Sequence, residues 1–285
     1  MKSQKKAYPT SVLCSALGVS QSGYYAWAKS MPNKRTTETQ RLIPIVREIQ
    51  KKHKSSCGSR RMSEQFAKAG ESVGRCKAAR LMREAKSPFI PARKFRITTD
   101  SKHNFAVSPN LLKRDFCASK PNQVWVSDIS YLWSDDGWSY LAVVIDLFNR
   151  EIVGMSIKNR MDRSLVMDAL KSAVWNKQPS PGLIFHSDRG SQYCCNEFRS
   201  LLEFYGMKSS MSRKGDCWDN AVSESFFATL KKERTMRNAY RNRSELYTDV
   251  FEYVYMFYNS YRGHSYLGYK SPMEFASITN CRMVA

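Results

Sequence analysis

Long apolar runs are missing from this chain. A membrane-spanning helix needs about 18 or more apolar residues in succession; no such stretch occurs, and the first residues carry lysines in place of an apolar signal core. The expectation is a cytoplasmic protein. The eight cysteines include no Cys-x-x-Cys pair, and the four histidines, His53, His103, His186 and His264, are scattered. Neither a zinc site nor a disulfide framework is supported, and reduced core thiols are expected. No heptad seam is visible. Acidic residues are scarce at the front: residues 1–119 hold 25 Lys and Arg against 7 Asp and Glu, whereas residues 120–285 hold 21 against 18. Most of the net charge of +21 therefore lies in the first part, the composition of a surface that binds a polyanion such as nucleic acid.

The 285 residues, 42% of them hydrophobic, suffice for one large or two modest globular domains. Ser11 to Leu17, the turn Gly18-Val19, and Gln21 to Ala28 behind the N-cap candidate Ser20 have the punctuation of a helix-turn-helix. Its aromatic residues Tyr24, Tyr25 and Trp27 read as packing. Met31 to Thr39 reads as a linker, and helical periodicity returns from Arg41 with Leu42, Ile43, Val46 and Ile49 on one face. Two more helices are expected, Arg61 to Ala69 and Arg75 to Ala85. Arg75, Lys77, Arg80 and Arg83 make the second a candidate groove-facing element. Arg93, Lys94 and Arg96 suit an extended segment lying along a DNA backbone.

The second part begins with alternating strands: Val124 to Leu132, Tyr140 to Leu147, and Ile152 to Ile157, with connections short enough for antiparallel neighbours. A helix capped by Asp162 follows, its apolar stripe running from Leu165 to Val174. Then come a strand ending at Asp188, a helix from about Asn196 to Tyr205, a short strand near Met207 to Met211, and a helix containing Glu224. Asp128 interrupts an apolar strand, where a buried charge costs several kcal/mol unless it is paired or bound to metal. Asp188 closes a second strand and Glu224 sits on a helix. Three such carboxylates brought together repel one another, and a pair of divalent cations is the natural neutraliser. Mg²⁺ takes oxygen ligands, so three carboxylates suffice. Lys231 lies on the Glu224 face of the helix, about 10 Å further along, positioned to meet a phosphate. Asp146 is expected to fix the turn at Asn149-Arg150, Asp219 to cap the Glu224 helix, and His186 to orient Asp188. Leu246, Val250, Tyr253, Val254 and Phe257 mark a last amphipathic helix.

The spacing of Asp128, Asp188 and Glu224, with 35 residues between the last two, is similar to that of the DDE transposase and retroviral integrase superfamily. The words Pro121-Asn122-Gln123-Val124-Trp125, His186-Ser187-Asp188-Arg189-Gly190-Ser191-Gln192-Tyr193, Asp219-Asn220-Ala221 and Lys231 resemble second-frame transposases of the insertion sequence three family. The closing Tyr258-Asn259-Ser260-Tyr261-Arg262-Gly263-His264 resembles that family's ending and is read as a structural cap. Where the family usually carries a Tyr-Gly-Tyr-like step, this chain has Cys57-Gly58-Ser59-Arg60-Arg61.

The resemblance implies an α/β fold: a ribonuclease H-like catalytic core, a mixed five-stranded sheet flanked by helices, behind an N-terminal all-α helix-turn-helix-type region. The expected division is a helix-turn-helix at 1–30, a basic helical DNA-binding region at 31–100, a linker at 101–115 and the catalytic core at 116–285. Asp128 would be shared by two Mg²⁺ ions, with Mn²⁺ able to substitute, and Asp188 and Glu224 would hold one each. The implied activity is cleavage of element ends and joining of the 3′-hydroxyl to target DNA. An inert DNA-binding regulator and a nuclease that does not join are the alternatives. A bacterial, nucleoid-associated location, homo-oligomers on DNA, and fusion or association with an upstream-frame helix-turn-helix and leucine-zipper protein are also implied.

Overall fold

The computed structural model describes residues 8–29, 34–87, 89, 107–113, 115–213 and 217–284. Its front is all helical: α1 Thr10–Ala16, α2 Gln21–Lys29, α3 Lys34–Lys52, α4 Ser59–Lys68 and α5 Arg75–Glu84. Ser20 caps α2 as expected, its hydroxyl accepting from the Gly23 N–H at 3.1 Å. Tyr24 is buried, and Tyr25 and Trp27, though exposed on their outer sides, pack their rings against it at centroid distances of 5.4 and 6.0 Å. The expected linker at 31–39 is corrected. Lys34 to Thr39 form the first turns of α3, and Glu38 reaches Lys77 of α5 at 2.7 Å while Arg41 pairs with Glu71. Polar composition there reflects an outward helical face, not a break. Leu42, Val46, Met62, Phe66, Ala78 and Leu81 close a separate small core among α3, α4 and α5.

The rest is built on one sheet of order β3-β2-β1-β4-β5, with β1 Val124–Ser134, β2 Gly137–Asp146, β3 Ile152–Lys158, β4 Ile184–Ser187 and β5 Lys208–Met211. The first three strands are antiparallel; β4 and β5 run parallel to β1. The β1–β2 turn is the tight Asp135-Asp136 pair, so β2 starts at Gly137 rather than at Tyr140, with φ of +101° that suits glycine. Asp146 does fix the next turn: its carboxylate accepts from the Phe148 and Asn122 N–H groups at 2.9 and 2.8 Å.

Helix α6, Arg163–Lys177, is capped by Asp162, which accepts from the Ser164 N–H at 2.9 Å. It lies on β2 and β3 so closely that a Cβ on Gly154 would sit 2.4 Å from the Ala169 carbonyl oxygen. With α7 Ser191–Cys194 and α8 Asn196–Phe204 it buries one face of the sheet. The opposite face packs on α9 Ala221–Leu230, α10 Arg243–Phe251 and the π-helical Glu252–Tyr258, followed by α11 Pro272–Val284. The expected last amphipathic helix is thus α10 continued in wider π turns, which turn Tyr253, Val254, Phe257 and Tyr258 all inward. The mixed five-stranded sheet flanked by helices is the ribonuclease H-like arrangement. Cys14, Cys57, Cys76, Cys117, Cys194 and Cys195 are free. Among the described residues no helix is long and apolar enough to cross a membrane.

Candidate active site

Asp128 stands in β1, and Asp188 follows directly after β4. The parallel register pairs Ser127 with Ser187, so the two aspartates emerge at the next step along strands about 5 Å apart. Each is held by a backbone N–H: Ile129 donates to Asp128 Oδ1 at 2.8 Å, and Gly190 to Asp188 Oδ1 at 2.9 Å. Glu224 occupies the first turn of α9. Asn220 Nδ2 donates to the Ser127 carbonyl oxygen at 3.4 Å and ties the start of that helix to β1 beside Asp128. Phe226, Phe227 and Leu230 sink into the core, which turns Glu224 outward to an exposed position.

The electrostatics express this arrangement. Burial, then the Asp188 carboxylate and then that of Glu224, push the Asp128 carboxyl well above the usual range; the Ile129 N–H and Lys231 oppose them. Burial alone raises Glu224. Lys231 begins the π-helical turn Lys231–Thr235 after α9 and is only 6% exposed. Burial pulls its ammonium down to about 8 against the pull of Asp128, and its Nζ lies 5.6 Å from the centre of the Tyr131 ring. It is therefore not an ordinary exposed surface lysine. The structure gathers Asp128 and Asp188 closely, with Glu224 and Lys231 within electrostatic reach. Among the described residues no three His, Cys, Asp or Glu side chains form a group that could hold a metal ion as they stand.

Two expectations are corrected. His186 does not orient Asp188. Its Nε2 donates to the Asp219 carbonyl oxygen at 3.0 Å and its Nδ1 meets Ser210 Oγ at 2.9 Å, so it braces β4 and β5 against the turn before α9. Burial keeps the ring neutral, with its pKa lowered. Asp219 is not the cap of the Glu224 helix. It sits in the 3₁₀ turn Cys217–Asn220 and accepts from Asn110 Nδ2, the Arg213 N–H and the Arg213 guanidinium at 2.9 to 3.1 Å. Asn220 is the N-cap residue, without a side-chain bond to the helix.

Sequence reasoning gave no role to Tyr193, although it quoted the residue. Ser127 Oγ donates to the Val143 carbonyl oxygen and meets the Tyr193 hydroxyl, both at 2.8 Å, which leaves the phenol as the donor between them. Burial, Asp128 and Asp188 all hold Tyr193 in its neutral form. On α5, Lys77 is engaged by Glu38, Arg80 approaches Glu84 at 3.5 Å, and Arg75 and Arg83 are exposed. Arg93, Lys94 and Arg96 lie outside the described residues.

Models of an integrase core domain match residues 118–217 and 224–279, and a model of an HTH-like domain matches 37–94. An insertion element IS600 uncharacterized 31 kDa protein of Shigella sonnei is 43% identical over 92% of this chain and 97% of its own length. The transposase InsF for insertion sequence IS3A of Escherichia coli K12 is 37% identical over 92% of both chains. The protein belongs to the IS3 family of transposases. Solved structures similar to this IS3-family chain include the HTLV-2 integrase catalytic core domain in complex with magnesium, 16% identical over 54% of this chain and 96% of that one, with a TM-score of 0.42. A simian T-cell lymphotropic virus intasome chain is 14% identical over 77% of this chain and 70% of its own, with a TM-score of 0.45.

Proposed function

We propose that this DNA transposase cleaves the ends of its own element and joins each freed 3′-hydroxyl to target DNA, using Asp128, Asp188 and Glu224 as its catalytic carboxylates. The observation that carries the reading is Asp128: a half-buried carboxyl within a strand, raised by desolvation and by two neighbouring carboxylates, and opposed by one buried lysine. A strained titratable group of that kind marks a site whose charge is completed by what it binds. The donors are all carboxylate oxygens, which suits Mg²⁺, with Mn²⁺ as a substitute. Asp128, Asp188 and Glu224 would hold such ions, which would supply an activated oxygen nucleophile and a stabilised leaving oxygen.

The chain's own residues prepare for this. The Ile129 and Gly190 N–H groups fix the two aspartate carboxylates before substrate arrives. Asn220 sets the distance of α9 from β1, and His186 stiffens the turn that leads into it. Exposure leaves Glu224 free to adjust. Asp128 must give up its proton to act as a ligand, so apparent metal affinity rises with pH. Lys231 balances Asp128 and offers a cation to the phosphate being transferred.

Holding two element ends at once calls for a homo-oligomer on DNA. An upstream-frame helix-turn-helix and leucine-zipper partner would add end recognition, and a DNA substrate implies a cytoplasmic, nucleoid-associated location. The test uses labelled element-end duplexes with target DNA. Asp128→Asn, Asp188→Asn and Glu224→Gln are each expected to abolish joined products while mobility shifts of the DNA persist. Appreciable joining by any one variant sinks the assignment; nicking without joined product in the wild-type protein favours the plain nuclease.

A further inference from the structure

Between the HTH-like helices and α9 lies a cleft of ≈ 730 Å³ whose lining holds no Asp or Glu. Arg60 and Arg61 of α4, Arg75 of α5, Arg150 of the β2–β3 turn, and Arg262 all face it. Arg61 and Arg262 are committed to Glu233 at 2.8 to 3.0 Å. Arg60 and Arg75 are exposed and make no ion pair among the described residues. The lining is thus cationic beyond what the protein neutralises itself.

Arg150 is the unusual member. It is only 8% exposed, and its backbone is left-handed at φ +61°, a conformation that costs a residue with a Cβ. One guanidinium nitrogen, Nη2, donates to the Phe116 carbonyl oxygen at 3.1 Å, and the plane lies 4.1 Å from the centre of the Tyr266 ring. The other, Nη1, is buried with no hydrogen-bond partner among the described residues. A buried cationic donor left unmatched wants an acceptor, and a phosphate oxygen is the acceptor for which a guanidinium is best shaped. Tyr266, with Arg150 against it, is still 57% exposed and lines the same cleft. The floor is α9 itself, through Ala221, Ser225 and Thr229. Ser225 adjoins Glu224 in sequence but is rotated from it by about 100° around the helix, so the cleft runs along a neighbouring face of α9.

Arginines that hold phosphates, together with an exposed aromatic ring inside a concavity, are the means by which proteins bind an unpaired strand, whose bases have free faces to stack. We propose that the cleft takes an unpaired segment of DNA strand along α9, with a phosphate on Arg150 Nη1 and a base on Tyr266. The choice of DNA as occupant rests on the strand-joining reading above; the geometry of the cleft does not.

The experiment is fluorescence anisotropy on the full chain in EDTA, with a short unpaired deoxyoligonucleotide and the same sequence as a blunt duplex. Arg150→Ala tests the phosphate contact directly. Because Arg150 also supports its turn, Tyr266→Ala and the double variant Arg60→Ala with Arg75→Ala carry the test on exposed positions. Tyr266→Ala is expected to weaken the unpaired strand roughly 5- to 100-fold, as loss of one stacked base does, and to leave the duplex within about 2-fold. The double arginine variant is expected to flatten the salt slope for the unpaired strand by about 1.4, for two phosphates released. Unchanged affinity for the unpaired strand in both, or equal losses on strand and duplex, overturns the proposal. Asp128→Asn separates the two readings: it should bind the unpaired strand as the wild type does, and if it also joins DNA, the strand-joining assignment fails while the cleft result stands.

Discussion

Two carboxylates, the half-buried Asp128 and the buried Glu233, are treated in opposite ways by the same fold. Glu233 lies in the π turn that follows α9, only nine positions after Glu224. Burial pushes its carboxyl up, but Arg262, Arg61 and the Tyr253 hydroxyl overcome this and hold it at about 2. Both its oxygens are filled: Arg61 and Arg262 donate to Oε1 at 2.8 and 3.0 Å, and Arg262 and Tyr253 to Oε2 at 2.8 and 3.0 Å. Arg61 comes from α4, so this cluster latches the front helices to the catalytic sheet. Lys54 with Asp249, Lys68 with Glu274, and Tyr261 with Gln65 add outer contacts along the same seam. At Asp128 the neighbours are other carboxylates, and the opposing pull of one depressed lysine does not offset them. Where charge is matched internally it serves architecture; where it is left unmatched it is available to bind and react.

Breaking the matched side should cost most. Glu233→Ala leaves Arg61 and Arg262 buried without their partner and is expected to destabilise the protein by about 3–5 kcal/mol, read as a lower denaturation midpoint in urea or on heating. The seam should also be sensitive to acid. His53 packs edge-on against Phe257 and near Tyr261, and neither of its ring nitrogens has a hydrogen-bond partner among the described residues. Burial first, with Arg61 and Arg262 assisting and Glu233 opposing, lowers it to about 4. The unfolded chain therefore takes up a proton on this ring near pH 6.5 that the folded chain refuses until about pH 4. The stability it contributes is present above pH 6.5 and falls by about 3 kcal/mol as pH drops through that window. His53→Leu should flatten the fall, seen by comparing thermal midpoints of variant and wild type at each pH.

The smallest effect has the opposite sign and sharpens the contrast. Asp128→Asn removes a half-buried carboxyl from among like charges, so the free protein should gain about 0.5–2 kcal/mol in denaturant unfolding, although joining is lost. A loss of stability from Asp128→Asn, or none from Glu233→Ala, would erase the distinction.

Much of the catalytic half was legible because its signals are local. Alternation of apolar residues from Val124 onward, the cap at Asp162 and the stripe through α6 depend on neighbours a few positions away. Asp128 stood out because an aspartate in an apolar strand is costly wherever the strand packs; Asp188 and Glu224 were singled out by their spacing from it and by the resemblance that the spacing carries. Reading failed where one residue type serves several geometries. Thr36-Thr37-Glu38 has the composition of a linker and of an exposed helical face alike, and only the Glu38–Lys77 contact decides for helix. Asp219, one position before the N-cap, has the look of a cap, but its oxygens are taken by Arg213 and Asn110.

The order of strands and helices and the basic front were thus written in the chain itself, since each follows from periodicity or charge along one line; the acidic triad was singled out by spacing and resemblance, and its catalytic role is a proposal. The Glu233 latch, the bracing role of His186, the burial of Lys231 and the cleft at Arg150 were decided only in three dimensions. Arg61 and Glu233 are 172 positions apart, and no local pattern tells either one that the other will complete its hydrogen bonds. Burial sets both the price of a charge and the partner that can offset it, and burial exists only once the chain has folded.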